Sequence, residues 1–101
     1  METPQTVRAI IESKISELKN EIRYQLTTNL TEDGRSLIYT IAYWAKQVMF
    51  NNEYNYNKQL FDYLEIFYND LPVLLVDFTR LQTILGEIKF FYNPEYKEHM
   101  K

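Results

Sequence analysis

A chain of 101 residues with 46% hydrophobic and 25% charged residues has the composition of a globular domain, which argues against wholesale disorder. Its formal net charge of −3 disfavours a general phosphate-backbone binder, whose affinity rests on clustered Lys and Arg. The absence of Cys excludes disulfides and thiolate metal sites, and two Gly with three Pro leave little material for the turns of an all-β fold.

Thr3-Pro4 reads as a helix start, since Thr can cap exposed N–H groups and Pro suits the first helical position. Beyond it, Val7, Ile11, Ile15, Leu18, Ile22 and Leu26 recur three or four residues apart, which predicts one apolar stripe on a helix over about 4–28. Ile10 widens that stripe, and Glu17 and Glu21 are expected on its solvated flanks. The basic residues Arg8, Lys14, Lys19 and Arg23 alternate with acids along this helix.

Asn29 to Gly34 is the clearest break. Thr31 reads as a cap, and Glu32 and Asp33 suit the positive first turn of a second helix over about 32–51. Leu37, Ile38, Ile41, Ala42, Ala45, Val48 and Met49 form its core face, with Trp44 at the border. Tyr39, Tyr43 and Phe50 fall together on another flank, with Lys46 beside them. Contact with two neighbouring helices would bury this flank; exposure would leave a face for a partner or a second copy.

The run Asn51–Asn57 predicts a loop, because Asn competes for local backbone and tolerates left-handed conformations. Its Tyr54 and Tyr56 could serve recognition or fold back over the bundle end. A third helix over about 57–69 carries Leu60, Phe61, Tyr63, Leu64, Phe67 and Tyr68. Asp70-Leu71-Pro72 reads as the next junction, since Pro disfavours helical backbone in the residue before it. A fourth helix over about 71–92 shows Leu74, Phe78, Leu81, Leu85 and Ile88, and its start, Val73–Val76, is apolar all round. Asn93-Pro94 ends it. The expected architecture is all-α, an antiparallel four-helix bundle over residues 1–93 with a polar tail at 94–101.

Asp77 is anomalous within this reading, because its wheel position falls among the apolar residues of the fourth helix. A buried carboxylate must be paired, hydrogen-bonded or protonated. It is either a ligand or catalytic group or, more commonly, a partly buried acid satisfied by a Tyr hydroxyl, the Trp44 N–H or an Arg side chain, or one at a stripe edge that reaches water. Other chemistry is weakly marked. His99 is the single histidine and lies in the tail; no Glu-x-x-His motif occurs; Ser13, Ser16 and Ser36 have no neighbouring His; Gly34 and Gly86 are isolated. No cofactor or metal is expected.

The N-terminus lacks the basic start and apolar run of a signal peptide, and the apolar run Leu71–Val76 is far short of the roughly 20 residues that span a bilayer. A cytoplasmic location without membrane contact is the expectation. Ten of the sixteen aromatic residues fall between Tyr39 and Tyr68. Tyrosine is favoured at contact surfaces, where its ring buries apolar area and its hydroxyl stays hydrated. The function expected is therefore non-enzymatic protein–protein contact, as an adaptor, accessory subunit or small inhibitor. Tyr39, Tyr43, Lys46, Phe50, Tyr54 and Tyr56 would carry it, and self-association as a homodimer is expected. The alternative is nucleic-acid binding through Arg8, Lys14, Lys19 and Arg23, which the acidic balance opposes.

Overall fold

A computed structural model describes residues 4–50 and 57–93. Thr3, Tyr54, Tyr56, His99 and the 94–101 tail lie outside the described residues. Four helices follow in order: α1 (Pro4–Leu26), α2 (Glu32–Phe50), α3 (Lys58–Leu74) and α4 (Thr79–Tyr92). Each packs on two neighbours, with α1 against α2 and α4, and α3 against the other sides of the same two, giving the expected antiparallel bundle.

The core is the set of stripes read from the sequence. Val7, Ile11, Ile15, Leu18 and Ile22 of α1 meet Leu37, Ile38, Ile41, Ala45 and Val48 of α2; Leu64, Phe67 and Leu71 of α3 meet Leu81, Ile84, Leu85, Ile88 and Tyr92 of α4. Trp44 belongs inside this core rather than at its border. Its ring meets Phe67 edge-on at 6.0 Å between centroids, and its indole N–H donates to the Leu60 carbonyl at 2.8 Å.

Local chemistry sets the ends of the helices. Thr27 and Thr28 terminate α1 slightly before position 28, because their hydroxyls donate to the carbonyls of Tyr24 and Gln25, both at 2.6 Å. The Thr31 hydroxyl caps α2 by accepting the Gly34 N–H at 3.0 Å, with Glu32 and Asp33 in the first turn as expected. Gly34 is not merely a blurred helix start. A Cβ there would lie 2.9 Å from the Leu74 carbonyl oxygen, so the glycine allows the start of α2 to press on the end of α3. Asn57 caps α3 by accepting the Leu60 N–H at 3.1 Å.

Three further expectations are corrected. Pro72 does not separate α3 from α4; it lies inside α3, which continues to Leu74. The proline forgoes one bond near the helix end, whereas helical backbone at Leu71 keeps that residue fully buried on the Leu64–Phe67 stripe. The junction is instead Leu75–Phe78, where extended, buried Leu75 donates its N–H to the Leu71 carbonyl at 3.0 Å. Consequently Asp77 is not a buried carboxylate. It sits in the α3–α4 connection with its side chain exposed, because α4 begins only at Thr79. Glu21 is also corrected: it is buried on α1 rather than solvated.

Candidate functional site

The outer side of α2 carries a second stripe, Ser36, Tyr39, Tyr43, Lys46 and Phe50, with successive separations of 3, 4, 3 and 4 residues. Such spacing keeps side chains on one line of a helix, as in a coiled-coil seam. All five residues are exposed. Tyr39 is 56%, Tyr43 66% and Phe50 76% exposed, so this flank does not widen the core. The reason lies in the packing order: the arcs of α2 that touch α1 and α3 are occupied by other residues, including Ala42 and Met49 on one side and Trp44 and Leu37 on the other.

Beside this stripe lies the outer seam between α2 and α3. Thr40, Tyr43 and Gln47 face Gln59, Leu60 and Tyr63 across a furrow of about 280 Å³ floored by Trp44 and Phe67. Tyr63 stacks on Phe67 at 6.1 Å with ring planes 21° apart, yet remains 42% exposed. Further along, Ser36, Thr40, Tyr63, Ile66 and Asp70 border a shallower hollow. Tyr63 and Ile66 thus extend the exposed apolar surface beyond the residues singled out from sequence. Their positions 59, 63, 66 and 70 share the same spacing, a signal legible in α3 once its outward flank is known.

Lys46 lies on the face as expected, while Tyr54 and Tyr56 lie outside the described residues. Asp77 is not near this face through its side chain; its main-chain carbonyl accepts the Gln25 side-chain N–H at 2.7 Å. Gln25 is 2% exposed and also donates to Glu21 at 3.4 Å, forming a polar clasp between α1 and the α3–α4 connection. The sequence held a signal for it, since Gln25 stands three residues after Ile22 and seven after Leu18.

Among the basic residues of α1, Lys14 is engaged by acids. Lys14 turns toward α4, where its ammonium lies 2.9 Å from Glu87 and 3.0 Å from Glu17. These contacts hold its pKa above the ordinary lysine value, with the Glu87 hydrogen bond as the larger cause and the Glu17 hydrogen bond next. Arg23 is exposed and donates to Asn20 at 3.3 Å. Among the described residues no cluster of three His, Cys, Asp or Glu could hold a metal ion, and no helix is long and apolar enough to cross a membrane. Comparison with protein-family models, curated proteins and solved structures gives no match for this chain.

Proposed function

We propose that this protein is a non-enzymatic helical module that works by protein–protein contact through the outer face of α2 and its seam with α3. The observation that carries this reading is the exposed line of Tyr39, Tyr43 and Phe50, continued by Tyr63 and Ile66. Aromatic residues present roughly 150–250 Å² each, so these four rings offer on the order of 500 Å² of surface, the size of a functional patch on a monomer. Tyrosines would supply the central buried area, with Lys46 and Asp70 orienting a partner at the rim. An adaptor, accessory subunit or small inhibitor fits such a face.

The test is a triple variant, Tyr39→Ser, Tyr43→Ser and Phe50→Ser, in which exposed positions are altered and the core is left intact. Circular dichroism and melting temperature are expected to stay near those of the parent chain. Light scattering and affinity capture from native lysate are expected to show an association that the variant loses. Equal association by both chains, or none by the parent, contradicts the proposal.

A further inference from the structure

Resting on that contact reading, we infer that the seam between α2 and α3 is a docking groove for an amphipathic helix of a partner protein, one that carries Lys or Arg at one end of its apolar stripe. The groove is continuous. The hollow beside Asp33 and Asp70 shares Thr40, Tyr63 and Phe67 with the furrow floored by Trp44. That furrow in turn shares Gln47, Gln59 and Leu60 with a third hollow at Phe50 and Asn57.

Its walls favour a helix as the occupant. Ser36, Thr40, Tyr43 and Gln47 on α2 follow separations of 4, 3 and 4 residues, and so do Gln59, Tyr63, Ile66 and Asp70 on α3. Such rows form ridges over roughly 16 Å, three turns, into which the i, i+4 and i+7 side chains of a third helix fit. An extended peptide gains less there. The main chain of α2 and α3 is hydrogen-bonded within each helix, so the groove offers no edge to a peptide backbone, whereas a helix satisfies its own.

Charge then narrows the kind of helix. The furrow and the hollow at Phe50 are lined by uncharged residues, and the charged residues lining the groove, Asp33 and Asp70, lie together at its other end beside Leu37, Ile66 and Leu74. Among the described residues neither carboxylate has a salt-bridge partner. The cations of α2, Arg35 and Lys46, stand about 100° around the helix from the groove-lining residues, on the far side of Tyr39. Lys58 of α3 is held by Asp62 at 2.9 Å. A Lys or Arg at the end of a docked helix would lay its aliphatic stem over Leu37 and Ile66 and bring its charge to the two acids. An acidic helix end would be repelled.

A phage-displayed library of peptides of about 16 residues, long enough for the three turns, tests this when panned on the intact chain. Counter-selection uses a Tyr43→Ser, Ile66→Ser variant, altered at two exposed positions of the groove. Enriched peptides are expected to carry apolar residues at i, i+4 and i+7, with Lys or Arg in the turn at one end. Fluorescence anisotropy of one such labelled peptide is expected to show binding weakened roughly threefold by Asp33→Asn or Asp70→Asn, and roughly tenfold by both together. Exchanging the peptide's own Lys for Gln is expected to cause a matching loss on the parent chain, where folding is not in question. Enrichment of acidic or proline-rich peptides overturns the inference, as does binding indifferent to both aspartates and to the peptide's Lys. A panning that yields no peptide, beside a lysate association that the triple serine variant loses, overturns the basic helix and leaves the contact reading standing. Failure of both overturns both.

Discussion

Gln25 and Asp77 exchange the roles that their positions in sequence suggest. The Asp77 side chain reaches solvent, and the residue contributes its main-chain carbonyl; Gln25 occupies the apolar stripe and spends its amide on that carbonyl. Truncating Gln25 removes a buried donor at a helix–loop clasp, whereas truncating Asp77 removes only an exposed carboxylate. Gln25→Ala is expected to lower unfolding free energy by about 1–3 kcal/mol, and Asp77→Ala by under about 0.5 kcal/mol, in chemical denaturation. The opposite ranking would contradict the placement. Residue periodicity identified the apolar members of each stripe because burial repeats with the helix. It could not place Asp77, since a wheel angle has meaning only after the helix has been bounded.

Boundaries at the scale of elements were legible where a side chain supplies a cap. Thr31 and the acids after it mark α2, and its core face follows at helical spacing. They were not legible at Pro72, where breaker chemistry and burial point in opposite directions and the burial of Leu71 prevails. Pairing between elements also escapes a single sequence. Lys14 reads as one of several alternating surface charges, yet it joins α1 to α4 through Glu87, with Arg80 placed 3.8 Å from Glu17 beside it.

Because Lys14 has a raised pKa in the fold, its protonated form binds more tightly there than in the unfolded chain. Its contribution is therefore complete below the ordinary value of 10.5 and is lost as pH rises through the higher folded value. The carboxylates are 37% and 41% exposed, so solvent screening holds the effect to under about 1 kcal/mol. The stability difference between parent and Lys14→Met is expected to be constant from neutral pH to 10.5 and to shrink above it. A difference that grows above 10.5 would contradict the ion-pair assignment.

For the whole molecule, four stripes close on one another and bury most of the apolar residues that the helical period groups together, while Val73, Val76 and Phe90 stay exposed elsewhere on α3, its connection to α4 and α4. The bundle leaves over a second period on α2, and this surplus separates the candidate face from ordinary surface. Its residues were visible in the sequence as a flank of Tyr39, Tyr43 and Phe50. Whether they were core or surface was not, because a helix wheel gives the angle between residues but not which neighbour occupies each side. Tyr63 and Ile66 joined the face only when α2 and α3 were set side by side.

The most direct test of the central claim, that the outer face of α2 exists to be covered, is tyrosine footprinting of the parent chain across a concentration series and with native lysate added, with Tyr24 of α1 as the exposed internal reference. Tyr39 and Tyr43 are expected to label readily when dilute and to become protected as association proceeds, while Tyr24 labels equally throughout. Labelling of Tyr39 and Tyr43 that is unchanged at every concentration and also with lysate added, or protection shared equally by Tyr24, would contradict the account.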